Sequence, residues 1–370
     1  MKIALGIFVY FPYGGLQRDM LDIARELQSR GHQAVIITGH WRSGAKPDGV
    51  EVRELPLAGL SNHARARAFA RKFLAESSDA DVRLTFNRFG GCHFYFAGDI
   101  CFKAELQNTR LAFLKKQLPR YRTFLAQEQE VFAPGGAGKI LYISRQQKEQ
   151  FRSCYGTEEE RFIPLPPGIG SGFTPPGAGV AERMRLELGI DPGKKVLAFA
   201  AVNWLLKGGD RVLEAFRKLP AEVRGKYHIL FIGGDHRGKA KSLVSKYGLE
   251  ANCSFAGMVD CTARYLQAAD ILLHPARKEA AGNVIAEALG CGVPVLCTAL
   301  CGFSDLVGES GAGRILDDQD CTRELHELLN SGLPDLSVWQ SAALRSAGTL
   351  PLRNRAARVA DVLEEFGKCP

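Results

Sequence analysis

The sequence lacks several patterns that define other classes of protein. No apolar run among its 370 residues approaches the length of a transmembrane helix. The start of the chain, from Met1 to Gly6, leads straight into a predicted strand and has no small-residue cleavage site. The ten cysteines include no Cys-x-x-Cys pair, so we expect scattered reduced thiols rather than a disulfide framework or a metal site. Together these absences predict a cytoplasmic protein.

The composition is that of a soluble globular protein. Hydrophobic residues make up 46% and charged residues 24% of the chain, and the length allows two domains of ordinary size. The formal net charge of +8 favours an anionic partner. Charge alone does not distinguish a nucleotide from a lipid or a nucleic acid.

Strands and helices are predicted to alternate in both halves of the chain. Between the halves, residues 162–177 are rich in proline and glycine and cannot form regular structure over their length. The stretch from Val196 to Val202 restarts the alternation as a buried strand. We therefore predict an α/β protein with a domain boundary near residue 167.

The most informative stretch is 274–296. A buried strand is predicted to end at His274, and a helix is predicted to begin at Gly282 because apolar residues then recur at helical spacing. Two glycines end that helix, and the next strand follows at once. In an open parallel sheet the loop after the first strand lies at the carboxyl edge, where ligands bind.

Two carboxylates, Glu279 and Glu287, frame this loop with seven residues between them. The amides of Ala281, Gly282 and Asn283 are expected at the helix N-terminus, where the backbone and the helix dipole suit a phosphate or diphosphate. Glu279 beside that anion is unfavourable unless it has another partner, such as the hydroxyls of a sugar, and Glu287 could reach a ribose diol. The alternative is that two glutamates occur at this spacing by chance.

Four further residues are candidates for the site. Gly14 and Gly15 lie between the first strand and its helix, where a backbone without Cβ can approach a ligand closely; the alternative is a simple turn. Lys207 lies in a strand-to-helix loop, where a lysine commonly bonds a phosphate as a point charge, unless it is only an exposed loop residue. Asp99 follows a predicted strand and could be a reacting group or a helix N-cap.

The segment 102–132 is basic and amphipathic. Its central cations have no acidic residue among them, and aromatic and aliphatic residues are interleaved with them. Such a segment can lie on an anionic bilayer, or it can be a solvated helix with an ordinary apolar stripe. The cations are Arg110, Lys115, Lys116, Arg120 and Arg122.

These motifs resemble those of a known enzyme family. The Glu279-x7-Glu287 pattern resembles the signature of retaining glycosyltransferases with the GT-B fold. Further stretches are similar, in order, to the WaaG (RfaG) family of lipopolysaccharide core glucosyltransferases, from the first strand to about residue 310. These stretches are Phe11 to Asp19, Ser61 to His63, Phe86 to Arg88, Tyr95 to Cys101, Pro164 to Gly168, Lys207 with Gly208, and His274 to Ala276.

The resemblance implies an architecture. It is that of GT-B, with two Rossmann-like domains facing across a cleft. Residues 1–167 would bind the acceptor, 168–350 the nucleotide sugar, and 351–370 would hold a helix that crosses back to the first domain.

The resemblance also implies roles for individual residues. It associates Glu279 with the donor sugar, Glu287 with the ribose and the backbone at Met258 with the nucleobase. Asp19 and Asp99 become candidates for orienting acceptor hydroxyls.

The implied reaction is transfer of glucose from UDP-glucose to a heptose of the lipopolysaccharide inner core. No metal or other cofactor is expected, because Lys207 and backbone amides can stabilise the departing diphosphate. The resemblance also favours an anionic inner-membrane surface as the partner of 102–132, and no nucleic acid. The family carries an arginine immediately before Lys207, whereas this chain has Leu206, so Lys207 acts alone or Arg18 or Arg211 compensates.

Three alternatives remain open from the sequence. The same fold could use a UDP-N-acetylhexosamine or another hexose, because pocket size is not readable from sequence. A UDP-sugar epimerase shares the architecture but needs acid and base residues near the sugar. A binding protein with a degenerate site is the third alternative, motivated by Leu206.

Overall fold

The computed structural model describes residues 1–12, 14–42, 46–136, 138–234, 237–350 and 355–368. The chain divides into two compact units. The first comprises Met1–Gly168 with Asn354–Pro370, and the second comprises Ile169–Arg353. The sequence placed the boundary at 167/168.

Within its described residues, the first unit contains a seven-stranded parallel sheet in the order β3-β2-β1-β4-β5-β6-β7. The central strands β1, β4 and β5 are almost entirely buried, as expected for a parallel sheet that is covered on both faces. The strands are β1 (Lys2–Ile7), β2 (Gln33–Thr38), β3 (Glu51–Glu54), β4 (Val82–Thr85), β5 (Phe94–Ala97), β6 (Lys139–Tyr142) and β7 (Phe162–Pro164).

Helices cover this sheet and begin at its carboxyl edge. The second helix packs directly on β1, because a Cβ at Gly6 would lie 2.6 Å from Cε2 of Phe73. The helices are α1 (Gly15–Ser29), α2 (Asn62–Glu76), α3 (Phe102–Gln107), α4 (Ala112–Gln117), α5 (Pro119–Phe132) and α6 (Arg145–Tyr155).

The basic segment 102–132 forms α3, α4 and α5. Helix α4 has no buried residue, whereas α5 buries Val131 and Phe132 at its carboxyl end. Because α3 also buries Leu106, the segment is anchored to the unit at both ends and exposed in the middle.

The second unit contains a six-stranded parallel sheet, again within the described residues, in the order β10-β9-β8-β11-β12-β13. The strands are β8 (Lys195–Ala200), β9 (Tyr227–Ile232), β10 (Cys253–Gly257), β11 (Ile271–His274), β12 (Val295–Thr298) and β13 (Gly313–Leu316). The helices are α7 (Val180–Glu187), α8 (Gly209–Arg217), α9 (Ala221–Arg224), α10 (Arg237–Lys246), α11 (Thr262–Gln267), α12 (Asn283–Gly290), α13 (Ser304–Ser310), α14 (Cys321–Asn330) and α15 (Leu336–Thr349).

The last helix, α16 (Arg355–Gly367), belongs to the first unit and packs against α1. Nη1 of Arg30 donates to Oδ1 of Asp361 at 2.6 Å. Nη1 of the fully buried Arg355 donates to Asp19 at 2.8 Å. The helix is thus fixed to the first unit by ion pairs. No helix of the described residues is both long enough and apolar enough to cross a membrane.

Candidate active site

The structure brings Lys207 and Glu279 together at the carboxyl edge of the second sheet. Their loops follow β8 and β11, which are neighbouring parallel strands. Nζ of Lys207 lies 2.6 Å from Oε2 of Glu279 and donates to the backbone carbonyl of Lys278 at 3.0 Å. An ammonium has three donors, and partners among the described residues occupy two of them, so one N–H remains for a ligand.

His274 is a second partner of Glu279 and was missed as a functional residue by the sequence analysis, which treated it only as the end of a strand. Its ring is 1% exposed, and Nε2 lies 3.3 Å from Oε2 of Glu279. Nε2 is the donor, because a carboxylate only accepts. The position at the strand end was the available signal, since this is where ligand-binding residues lie in parallel sheets.

Glu279 stays ionised in this environment. Its burial raises the pKa, but the hydrogen bond from His274 and the positive charge of Lys207 outweigh that effect and lower the pKa to about 2. Both contacts are to Oε2, and within the described residues Oε1 accepts no hydrogen bond. The site therefore presents a charged carboxylate with one oxygen left for a ligand.

The α12 N-terminus lies beside Glu279. Gly282 is the N-cap, with φ of 86°, and no side chain of the described chain caps this helix. A Cβ at Gly282 would lie 3.2 Å from Cγ of Glu279, so glycine permits both the left-handed turn and the close approach. Ala281 is buried, and Asn283 opens the helix. The backbone here has the geometry of an anion-binding helix start.

The structure also places the two remaining donor-site candidates in the second unit. Glu287 is on α12 and is only 6% exposed. Met258 directly follows β10 and is half-buried.

Arg211, one of the two bases suggested as compensating for Leu206, is bound within the protein. Its Nη1 donates to Oδ1 of Asp318 at 2.8 Å and to the carbonyl of Pro275 at 3.1 Å. The structure thus gives Arg211 partners that the sequence did not predict, and its part in binding a diphosphate stays a prediction. Arg18, the other suggested base, is in the first unit.

The glycine pair of the first unit forms the start of α1. Gly14 is the N-cap of α1, and its backbone is extended. No side chain of the described residues caps this end of the helix. A Cβ at Gly14 would lie 1.8 Å from Oε1 of Gln17, so a larger residue at this position would require the flexible Gln17 side chain to move. Gly15 is the first residue of the helix. Tyr13 is outside the described residues.

Asp19, predicted to orient the acceptor, is buried within the first unit. It is 7% exposed and pairs with Arg355 of α16. Burial raises the pKa of Asp19, and the charge of Arg355 opposes that rise. The structure thus gives Asp19 a partner that the sequence analysis did not identify, because 336 positions separate the two residues.

Asp99 is exposed at the carboxyl edge of the first sheet. Its side chain is 58% exposed and lies 3.4 Å from Nη2 of Arg88. The alternative role as a helix N-cap is wrong, because Cys101 occupies that position of α3. Asn87 lies at the same edge, where its Oδ1 accepts from the backbone N–H of Phe8 at 2.6 Å.

Behind Asp99 lies a buried acid, Glu128 of α5, which is 0% exposed. It accepts from Nη1 of Arg88 at 2.8 Å and from the hydroxyl of Tyr155 at 2.5 Å. The amides of Phe102 and Lys103 also donate to it, at 2.7 and 2.9 Å. Glu128 therefore joins α5 to the start of α3 and to the Arg88–Asp99 pair.

The chain contains two Asp-x-Asp sequences, a pattern that in some glycosyltransferases holds a metal. Asp79 pairs with the side chain of Lys2, and Asp81 accepts from the backbone of Lys2 at 2.7 Å. In the second unit, Asp320 pairs with Arg323 at 2.7 Å, and its companion Asp318 pairs with Arg211. All four carboxylates thus have partners within the protein.

Comparison with known proteins agrees with this architecture. The family described as Glycosyl transferases group 1 matches residues 180–340, which include Lys207, Glu279 and Glu287. Together with the two parallel-sheet units, this match defines a glycosyltransferase with the GT-B fold. The chain belongs to the family of the lipopolysaccharide glucosyltransferase WaaG, which confirms the resemblance drawn from the sequence motifs.

The similarity to this family extends over nearly the whole chain. WaaG of Escherichia coli (strain K12) is 32% identical over 371 residues, which are 98% of this chain and 98% of that protein. A crystal structure of WaaG superimposes with a TM-score of 0.90, at 32% identity, over 97% of this chain and 99% of that chain. The Anabaena protein HepE, solved in complex with UDP and glucose, has the same fold, with a TM-score of 0.75 at 16% identity over 99% of this chain and 100% of that one.

Proposed function

We propose that this glycosyltransferase moves glucose from UDP-glucose onto a heptose of the lipopolysaccharide inner core, with retention of configuration and without a metal. The acceptor class follows from membership of the WaaG family, whose E. coli member is a lipopolysaccharide glucosyltransferase. A UDP-hexose donor is supported by the HepE complex, which has the same fold.

The observation that carries the proposal is the joint position of Lys207, Glu279 and the α12 N-terminus. Lys207 and the amides at Gly282 supply positive potential, whereas Glu279 supplies a negative charge a few ångströms away. A nucleotide sugar has the matching pattern, because its diphosphate is anionic and its sugar hydroxyls are donors. We therefore assign the diphosphate to Lys207 and α12, and the sugar to Oε1 of Glu279.

This arrangement meets the electrostatic demands of transfer. The bond from the sugar to the diphosphate breaks through an oxocarbenium-like transition state, so negative charge grows on the leaving phosphate. The third N–H of Lys207 and the backbone donors of α12 stabilise that charge without reorganising. Glu279 remains ionised and anchors the sugar hydroxyls as positive charge develops on the ring.

The acceptor side is assigned to the first unit. Asp99 is the exposed carboxylate at the carboxyl edge of its sheet and can accept a hydrogen bond from an acceptor hydroxyl. With retention, no general base is needed on the opposite face of the donor, and the leaving phosphate takes the acceptor proton. Asp19 contributes indirectly, because its carboxylate is held by Arg355.

We also propose that α4 lies on an anionic membrane surface at the cytoplasmic side. The exposed apolar side chains of α4 and of the residues that cap its two ends are Leu111 (69%), Phe113 (74%), Leu114 (58%) and Leu118 (52%), adjoining Lys115 and Lys116. Apolar side chains left exposed together in this way mark an interaction site, and the adjacent cations favour anionic lipid. A lipid-anchored acceptor would then be presented to the first unit.

The donor and acceptor are tested by measuring UDP release from a panel of UDP-sugars, with and without deacylated core oligosaccharide. Acceptor-dependent release only from UDP-glucose supports the proposal. Release mainly from another UDP-hexose would show that UDP-glucose is not the donor. Interconversion of the UDP-sugars would show that the protein is an epimerase. The anomeric configuration of the product, determined by NMR, tests retention, and activity in EDTA tests metal independence.

Membrane attachment is tested by sedimentation with liposomes that contain anionic lipid. The double charge reversal Lys115→Glu and Lys116→Glu should weaken retention, because each cation near such a surface contributes about 1 kcal/mol. The matched control is Lys239→Glu and Lys246→Glu on α10, which changes the net charge equally at exposed positions. Equal loss in both variants would contradict a specific role for α4.

A further inference from the structure

Arg277 follows β11 and holds the loop that carries Lys207. Its backbone N–H donates to the carbonyl of Leu206 at 3.0 Å, and its Nη1 donates to the carbonyl of Leu205 at 2.8 Å. The same guanidinium binds Asp210 at two points, Nη1 to Oδ1 at 2.7 Å and Nη2 to Oδ2 at 2.8 Å. Arg277 therefore contacts the chain on both sides of Lys207.

These contacts fix Lys207 between two rigid elements. Asp210 belongs to the first turn of α8, and Arg277 is continuous with the loop after β11. Between them, Gly208 has a φ of 81° and approaches so closely that a Cβ would lie 2.1 Å from the carbonyl oxygen of Pro275. The planar guanidinium suits this role, because its donors have a fixed geometry.

We propose that Arg277 is a positioning residue that, by holding the loop on both sides of Lys207, keeps the ammonium of Lys207 on the carboxylate of Glu279. A lysine side chain is flexible, so its ammonium stays at a fixed point only if its backbone does. The neighbouring Leu206 carries no charge that could share the task. The inference rests on the proposed function only in assigning the donor diphosphate to Lys207.

A ligand-free measurement tests the positioning role. The pKa of Glu279 is measured by NMR in a pH titration of the whole chain, from the chemical shift of its carboxyl carbon. The signal is assigned to Glu279 because it is missing from the spectrum of Glu279→Gln. The wild type, Lys207→Met, Arg277→Gln and the double variant Lys207→Met/Arg277→Gln are compared. Arg264→Gln is the control, because Arg264 forms an exposed pair with Glu187 in the same unit.

Arg277→Gln should raise the pKa of Glu279 in the wild-type background and leave it unchanged in the Lys207→Met background. This result follows because the effect of Arg277 is transmitted through Lys207. A rise of the same size in both backgrounds would show that the charge of Arg277 acts directly on Glu279 and would overturn the proposal. No rise in either background, or an equal rise in Arg264→Gln, would overturn it as well.

A second readout uses UDP itself as the probe in calorimetry. Arg277→Gln should weaken UDP binding about 10-fold, a coupling of ordinary size for residues in one network, and should have no further effect when Lys207 is already methionine. Additive losses would mean that Arg277 contacts the nucleotide directly, which contradicts a positioning role. If the wild type does not bind UDP, the proposed function fails, whereas the titration still decides the role of Arg277.

Discussion

Each unit holds a glutamate, Glu128 in the first and Glu279 in the second, in a network of cations and hydroxyl or ring donors, and the two networks differ in how completely they enclose the carboxylate. Glu128 of the first unit is 0% exposed and is surrounded by donors from Arg88, Tyr155 and two backbone amides. Glu279 of the second unit retains 17% exposure of its side chain, and its partners bind only one of its oxygens.

The difference distinguishes an acid that holds a fold together from one that holds a ligand. A buried carboxylate is tolerated only when its lone pairs are satisfied, and the Glu128 network meets this requirement within the protein. At Glu279 the described residues bind only one of the two carboxylate oxygens, Oε2, so the other oxygen, Oε1, is available to a sugar hydroxyl. Burial and charge alone therefore do not identify the functional acid, whereas the unused acceptor does.

The largest expected effect is on stability, in Glu128→Gln. Removing one partner of a buried ion pair costs about 3–5 kcal/mol, and here the change takes the charge from the fully buried Glu128 and leaves the half-buried Arg88 with only the exposed Asp99 as its acidic partner. Urea unfolding should show a loss of this size, with Glu149→Gln on the exposed face of α6 as the control. A loss below about 1 kcal/mol would mean that Glu128 does not anchor the first unit.

Glu279→Gln should lower turnover strongly and stability only weakly, the reverse of Glu128→Gln. We expect turnover to fall about 100-fold, which is the scale of losing one preorganised electrostatic contact in an active site and corresponds to about 2.7 kcal/mol. Unfolding should change less than in Glu128→Gln, because the site is partly open. The control is Glu182→Gln, an exposed residue of α7. Normal turnover in Glu279→Gln would remove the distinction between the two acids.

The pH dependence of activity gives a further test of the state of Glu279. The folded-state pKa of Glu279 is lowered to about 2, so its stabilising contribution is present above its unfolded value near 4.5 and is lost only as the pH falls towards 2. Activity should therefore show no acid limb from this group above about pH 3. In Lys207→Met the pKa should rise by about one unit or more, which brings an acid limb into the measurable range of pH–rate profiles.

The smallest effect is expected at the exposed Asp99. Asp99→Asn keeps the shape of the side chain and one acceptor but loses the charge that pairs with Arg88, and exposed pairs contribute only about 0.2–1 kcal/mol. The KM for the core acceptor should rise a few-fold, with the KM for UDP-glucose and the unfolding midpoint unchanged. A change in the donor KM instead would reassign Asp99.

The parts of this molecule that were predictable from sequence are those defined by local pattern. The β11–loop–α12 unit was readable because apolar periodicity, glycines and the two glutamates lie within about 25 residues, and the GT-B fold followed from several such motifs in order. The contacts of Glu128 and Asp19 were not readable. Arg88 is 40 positions from Glu128, and Arg355 is 336 positions from Asp19. Such pairs are set by tertiary packing, which single-sequence periodicity does not encode.

The same distinction applies to the loop of Lys207. Its position after a strand was predictable, but the sequence left open whether Lys207 acts alone or is supported by Arg18 or Arg211, and in the structure Arg211 pairs with Asp318. The residue that holds the loop is Arg277, from the neighbouring strand-to-helix connection. The direction of a side chain in a loop depends on which residues of the neighbouring loops lie opposite. Those residues are known only when the order of the strands in the sheet is known.

The position of α16 has a consequence for synthesis on the ribosome. Because Arg355 of this helix pairs with the buried Asp19 of α1, the first unit contains both the earliest and the latest helices of the described chain. During translation Arg355 therefore becomes available to Asp19 only after the whole second unit has been synthesised. The second unit is built from one continuous stretch of chain that is complete before α16 is synthesised, so we expect the first unit to be the last to acquire all of its contacts.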